Sequence, residues 1–156
     1  MKDMKVLLVE DDEHKRVGIQ HALRDCRGSV EVFVAASLYD AINSLDIGPF
    51  DLVVLDMAIP SHPAAPGEGS PVSFLTGGLD VLLELSARGR SDRCIIITQF
   101  PEIEISQIFY QVSLATAAIK EQLDYEVIDC IAYTSENESW LLQFKSLLKA
   151  HGYSCT

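Results

Sequence analysis

The sequence is poor in positive charge. Twelve lysine and arginine residues stand against 23 aspartate and glutamate residues, which gives a formal net charge of -11. A surface this acidic repels the phosphate backbone of nucleic acids and the headgroups of anionic lipids. We therefore expect no direct nucleic-acid partner and no membrane partner.

Long apolar runs and paired cysteines are also missing. No apolar stretch approaches the roughly 18 residues that a membrane span requires, and MKDMKVLLVEDD at the amino terminus has too short an apolar segment for a signal peptide. We therefore expect a cytoplasmic protein. The cysteines form no CxxC pair and have no histidine at metal-ligand spacing, so we interpret them as reduced core thiols, apart from the last one; they are Cys26, Cys94, Cys130 and Cys155.

Segments with strand character alternate with segments that have helical spacing along the whole chain. The predicted strands cover residues 5–10, 30–36, 50–56, 93–98 and part of 125–134. The predicted helices cover about 12–26, the stretch from the capping residue Ser37 to about Gly48, 77–89, part of 103–123, and a last segment opened by a capping box of Ser135 and Glu138.

Continuous Val, Ile and Leu runs indicate strands that are buried on both faces, and strand–helix alternation implies a parallel sheet. The sequence therefore predicts an α/β fold: a five-stranded doubly wound parallel sheet with helices on either side. A chain of 156 residues fits one domain over residues 1–156. A segment rich in Pro, Gly and Ser at about 61–76 predicts a long loop within that domain.

Acidic side chains follow the first and third predicted strands. Glu10 and Asp11 come directly after VLLV, and Asp56 ends FDLVVLD. Functional groups of open α/β sheets gather beyond the carboxyl ends of the strands, and in the flavodoxin-like strand order 2-1-3-4-5 the switch point lies between strands one and three. We therefore expect these carboxylates to face one another across a cleft, with Thr98, at the end of the fourth strand, beside Asp56.

Converging carboxylates need a proton or a cation. Two of them about 4 Å apart repel by roughly 4 kcal/mol at an effective dielectric near 20. Hard oxygen ligands without histidine or cysteine suit Mg²⁺. Simpler explanations exist, because acids are favoured in the first turn of a helix and aspartate often ends a strand in a turn. The coincidence of acids at two strand ends with a hydroxyl at a third favours the metal site.

The motifs at these strand ends resemble those of the receiver domains of two-component response regulators, the CheY-like proteins. The resemblance lies in VEDD at 9–12, LDMAIP at 55–60 and IIIT at 95–98, and it covers about residues 4–100. It implies that Asp11 binds Mg²⁺ directly and that Glu10 binds it through water. Asp56 and the backbone carbonyl of Ala58 complete the implied metal ligands.

The resemblance also implies a function. Asp56 would accept a phosphoryl group from a histidine kinase or a phosphotransfer protein, and Thr98 would be the switch hydroxyl that binds a phosphoryl oxygen. Tyr133 is the candidate aromatic switch residue. The chain would act as a stand-alone receiver, not as an enzyme, and would alter its binding to a downstream protein.

The chain departs from the family at the end of the fifth strand, where the family has a lysine. This segment reads AYTSEN at 132–137, without lysine. Spacing alone nominates Lys120, but IKEQL has the character of a helix. Gln99 stands in place of the small residue that commonly follows the threonine, which would crowd access for a phosphodonor.

The missing lysine favours an alternative function, a receiver-like interaction module that docks a partner without phosphorylation through the 61–76 loop and the 101–136 region. A Mg²⁺-dependent phosphohydrolase ranks last, because Met57 and Ala58 follow Asp56 where a DxD motif would be expected.

Overall fold

A five-stranded parallel sheet forms the centre of the structure. The computed structural model describes residues 3–25, 29–63, 73–74 and 77–153. The sheet strands are β1 (Met4–Val9), β2 (Val30–Ala35), β3 (Leu52–Leu55), β4 (Cys94–Thr98) and β5 (Val127–Ala132). Their order is β2-β1-β3-β4-β5, and all neighbours run parallel. The predicted doubly wound sheet with the order 2-1-3-4-5 is confirmed.

Helices cover both faces of the sheet. They are α1 (Glu13–Arg24), α2 (Leu38–Ser44), α3 (Gly77–Ala87), α4 (Val112–Leu123) and α5 (Ser139–Ala150). One apolar core packs α2, α3 and α4 against the sheet, and a second core packs α1 and α5 against the opposite face. None of the helices in the described part of the chain has the length and hydropathy needed to cross a bilayer.

Side-chain hydrogen bonds to the backbone determine where α2 and α5 begin. The Ser37 hydroxyl accepts a hydrogen bond from Asp40 N at 3.1 Å, so the predicted cap of α2 is confirmed. The predicted start at Ser135 is wrong, because α5 begins at Ser139. Asn137 Oδ1 accepts from Ser139 N at 3.0 Å, so this side chain holds the backbone in a turn before the helix.

Residues 103–123 were predicted as partly helical; the second part of this stretch is α4, but the part before residue 112 belongs to an antiparallel hairpin. The hairpin pairs Glu102–Ile105 with Ile108–Gln111. Its two-residue turn, Ser106 and Gln107, has positive φ angles of 52° and 67°, as tight hairpin turns require. Alternate isoleucines of EIEI are buried in the core, which is the period of a strand and not of a helix.

The predicted 61–76 loop lies mostly outside the described residues. Within the described part, Ile59–Pro60 pairs antiparallel with Ser73–Phe74, so the two ends of the segment come together. Its role, like the interpretation of residues 1–156 as one domain, stays a prediction.

Two cysteines lie in the core. Cys94 and Cys130 carry free, buried thiols, which confirms their interpretation as reduced core residues. Burial raises the pKa of Cys94 to about 12 and that of Cys130 to about 11. Cys26 and Cys155 lie outside the described residues.

We expect Cys94 and Cys130 to resist alkylation in the folded protein. A thiol reacts as its thiolate, and burial both raises the pKa and blocks access. Peptide mapping after iodoacetamide treatment at mildly alkaline pH should find both residues unmodified, and both should react once guanidinium unfolds the chain. Modification of Cys94 in the native protein as fast as in the unfolded one would contradict this.

A glycine pair lets α3 start directly against the end of β3. A Cβ atom at Gly78 would overlap the backbone oxygen of Asp56 and come within 3.0 Å of Met57 Cα. Gly78 N donates to the carbonyl oxygen of Met57 at 3.0 Å. A glycine at position 78 therefore allows α3 to pack closely against the backbone of Asp56 and Met57.

The substitution Gly78→Ala should destabilise the fold by about 1–3 kcal/mol, since an extra methyl group in a closely packed place forces the backbone to move. Urea denaturation measures this loss. Ser86→Ala, on the exposed side of the same helix, is the matched control and should leave stability nearly unchanged. Equal unfolding midpoints for the two variants would refute the close-approach role of Gly78.

Candidate metal centre

Three carboxylates meet at the carboxyl ends of two neighbouring strands. Glu10 and Asp11 follow β1, and Asp56 follows β3. Asp56 N donates to the carbonyl oxygen of Val9 at 3.0 Å, which ties the two strand ends together. One carboxylate oxygen from each of the three residues lies within 4.8 Å of the others. The structure therefore brings together the acids that strand order placed in one cleft.

The acids differ in their surroundings. Glu10 is 1% exposed and Asp56 is 2% exposed, whereas Asp11 reaches solvent. Asp56 Oδ1 accepts a hydrogen bond from Met57 N at 2.7 Å. Within the described ranges, neither carboxylate oxygen of Glu10 accepts a hydrogen bond of good geometry. Glu10 thus lacks the hydrogen bonds that normally compensate a buried carboxylate for lost hydration, and only its Oε1 has an ion-pair partner among the described residues.

Burial raises the pKa of Glu10, and the neighbouring Asp56 raises it further, against the opposing effect of a nearby ammonium group. The pKa of Asp11 is also raised, first by partial burial and also by the charge of Asp56. A divalent cation would satisfy the free oxygen of Glu10 and relieve this repulsion. The donor set, three carboxylates with an orphaned buried oxygen, fits a divalent metal ion. Ala58 is buried two residues after Asp56, and the role of its carbonyl as a ligand stays a prediction.

The ammonium group belongs to Lys15, which is not among the predicted site residues. Its Nζ lies 3.0 Å from Glu10 Oε1 and 3.4 Å from Asp56 Oδ1. It donates a hydrogen bond of 2.6 Å to the carbonyl oxygen of Ile97, and Gln99 Oε1 lies 3.5 Å away. The side chain is 1% exposed, so a buried cation stands between two of the acids.

The pattern of α1 contains a signal for this lysine. Its buried residues are Lys15, Ile19, Ala22 and Leu23. They follow the i, i+4, i+7, i+8 spacing of one helix face, and the first position of that apolar face is a lysine. Val17, an apolar residue of the same helix outside this spacing, is 42% exposed.

The two switch candidates flank Lys15. Thr98 is fully buried at the end of β4, and its Oγ1 accepts a hydrogen bond from Phe100 N at 3.2 Å. Tyr133 N donates to the carbonyl oxygen of Thr98 at 2.8 Å. The Tyr133 ring packs against Trp140 at 5.0 Å, and its centroid lies 5.4 Å from Lys15 Nζ. The two residues are thus joined by backbone, and their switch roles stay predictions.

Lys120 does not join the site. It lies on α4, half exposed, and pairs with Asp124 at 3.3 Å and Glu126 at 3.5 Å. The helical character expected for this segment is confirmed.

Solved structures of response regulators share the fold of this chain. The chain superposes on the phosphorylated cyanobacterial phytochrome response regulator RcpA with a TM-score of 0.66, 16% identity and coverage of 95% of this chain and 93% of that one. The Mn²⁺-bound form of response regulator Rcp1 matches with a TM-score of 0.66 and 15% identity, covering 98% of this chain and 97% of that one. The receiver domain of a putative Luxo repressor protein from Vibrio parahaemolyticus matches with a TM-score of 0.62 and 20% identity, covering 96% of this chain and 90% of that one. At such low identities these matches show the fold alone, which is the receiver fold.

A relative in sequence shows the family. The chain is 38% identical over 150 residues to the Detocs response regulatory protein DtcB of Vibrio alginolyticus, covering 93% of this chain and 99% of that protein. The chain therefore belongs to the response regulators of two-component systems. No family model matches the sequence.

A divalent cation should raise the melting temperature of the protein. At a concentration of about 100 times Kd, a ligand stabilises the folded state by about 2.7 kcal/mol, or roughly 5–10 °C for a chain of this length. Because the pKa of Glu10 is raised, protons compete with the metal, and the shift should grow as the pH increases. Thermal unfolding with and without Mg²⁺ or Mn²⁺ at several pH values measures this.

The matched variants are Glu10→Gln and Glu13→Gln, which each remove one acid from the same stretch. Glu13 is exposed at the start of α1, so its replacement should keep the metal response. Loss of Glu10 should abolish most of it. A metal shift of equal size in both variants would rule out Glu10 as part of the centre.

Proposed function

We propose that the protein is a Mg²⁺-dependent phosphoryl acceptor, and that Asp56 receives the group from a histidine kinase or a phosphotransfer protein. The observation that carries this proposal is the meeting of Asp56 with Glu10 and Asp11 at the carboxyl edge of a receiver sheet. The relatives support it further. One matched response regulator is described as phosphorylated and another as bound to Mn²⁺.

The transfer requires an attacking carboxylate oxygen and neutralised charge. A carboxylate oxygen of Asp56 attacks the phosphorus atom, a new O–P bond forms, and the P–N bond of the phosphohistidine breaks. The imidazole nitrogen keeps the electron pair of that bond. When bound by Glu10, Asp11, Asp56 and the Ala58 carbonyl, Mg²⁺ would offset the negative charge of the transferring oxygens.

The new group changes the charge balance of the site. A phosphoryl group carries about -1.5 to -2 charges and three strong acceptor oxygens. The Thr98 hydroxyl would donate to one of these oxygens. Because Tyr133 is bonded to the backbone of Thr98, a movement of β4 would be passed to β5. The altered surface around β4, α4 and β5 would then change the binding of a downstream protein, which is how a signalling receiver without turnover acts.

The same structure weakens the case for a module that works without phosphorylation. That alternative rests on the missing lysine after the fifth strand. An ammonium group is nevertheless present beside Asp56, because Lys15 supplies one from α1. A cytoplasmic location and the lack of a direct nucleic-acid partner remain predictions.

Incubation with acetyl phosphate and Mg²⁺ should add one phosphoryl group, localised to Asp56 by peptide mass spectrometry. Acetate is then the leaving group. Chelation of the metal should prevent the reaction, and Asp56→Asn should abolish it. Asp124→Asn is the matched control, since Asp124 is an exposed residue at the end of α4 with a positive φ that asparagine tolerates. No uptake, or uptake at another residue, would favour the phosphorylation-independent module.

A further inference from the structure

We propose that Lys15 of α1 is the cationic group that contacts the phosphoryl group on Asp56, in place of the lysine that the family carries after its fifth strand. The inference rests on the proposed function. The cation would come from helix α1, because residues 132–137, at the end of the fifth strand, contain no lysine or arginine. The side chain already reaches the acids without any rearrangement of the backbone.

The burial of Lys15 argues that its charge matters and not its volume. A methionine would fill the same space without the cost of removing an ammonium group from water. The ammonium is instead compensated by Glu10 Oε1 at 3.0 Å and by the Ile97 carbonyl at 2.6 Å. Among the described residues, this one side chain makes the ion pairs to the buried carboxylates of both Glu10 and Asp56.

The contacts of Lys15 with Gln99 and Asp56 are long, so a stronger acceptor can replace them. An ammonium group has three N–H donors. One is donated to the Ile97 carbonyl, another lies within reach of Glu10, and Gln99 Oε1 at 3.5 Å and Asp56 Oδ1 at 3.4 Å compete for the third. The distance of 3.4 Å to Asp56 Oδ1 exceeds the roughly 2.7–2.9 Å of a charge-assisted hydrogen bond. A phosphoryl oxygen on Asp56 would be a stronger acceptor on the same side.

Transfer also changes which atoms attract the ammonium. The carboxylate of Asp56 becomes a neutral ester-like group when its oxygen bonds to phosphorus, and the negative charge moves to the phosphoryl oxygens. Lys15 would follow that charge. Its present bond to Ile97, the neighbour of Thr98, gives the movement a direct connection to β4.

Two measurements on Lys15→Met test the proposal, because they should change in opposite directions. Loss of a positive charge makes the acid cluster more negative, so Mg²⁺ affinity by calorimetry should rise by about tenfold. The rate of phosphoryl uptake from acetyl phosphate at saturating Mg²⁺ should fall by about tenfold or more. If Lys15 only stabilised the fold, its replacement would lower both the Mg²⁺ affinity and the rate of phosphoryl uptake. Lys120→Met, which removes a half-exposed lysine from α4, should change neither.

The outcomes separate this proposal from the proposed function. If the wild-type protein takes up no phosphoryl group, the proposed function fails and takes the role of Lys15 with it. If the wild type is phosphorylated on Asp56 and Lys15→Met reacts at the same rate, only the role of Lys15 is overturned. A parallel loss of Mg²⁺ affinity and of uptake would also overturn it.

A measurement on the unsubstituted protein covers the case in which Lys15→Met does not fold. The Nζ resonance of Lys15, assigned with Lys15→Arg, should shift when beryllofluoride and Mg²⁺ are added together, because beryllofluoride mimics the phosphoryl group on an aspartate. Mg²⁺ alone should give a different shift. An unchanged resonance on addition of beryllofluoride to the Mg²⁺-loaded protein would refute direct contact.

Discussion

The contact of one buried ammonium group with two buried carboxylates is the interaction on which the site depends. Glu10 and Asp56 lie in the core with little access to water, where like charges at close range repel by roughly 4 kcal/mol at an effective dielectric near 20. Lys15 offsets one of these charges. Glu10, Asp11 and Asp56 together with Lys15 carry a formal charge of -2, which a divalent cation would neutralise.

The sheet supplies the positions of these groups. Parallel neighbours β1 and β3 end side by side, so residues that follow them must share an edge. The missing side chain at Gly78 then lets α3 approach the backbone that follows β3. The acids are thus held by strand register and by close backbone packing.

Sequence patterns were sufficient for the parts of the molecule governed by period and strand order. Buried runs predicted the five strands, and the strand order then predicted that Glu10, Asp11 and Asp56 converge. Three features escaped for physical reasons. The hairpin at 102–111 was missed because its alternation of isoleucines is short and directly precedes a helix. The start of α5 was predicted too early because Asn137 holds the preceding residues in a turn. Lys15 escaped because a lysine on an amphipathic helix is normally solvated, and only its contacts show that it points inward.

The source of the buried cation has a consequence for how distant relatives are recognised. A motif that requires a basic residue at a fixed place after the last strand rejects this chain and suggests a degenerate receiver. In this chain an ammonium group nevertheless lies beside Asp56, and it comes from the first helix. A search for a charged group at such a site is therefore better made by the positions of atoms than by alignment columns.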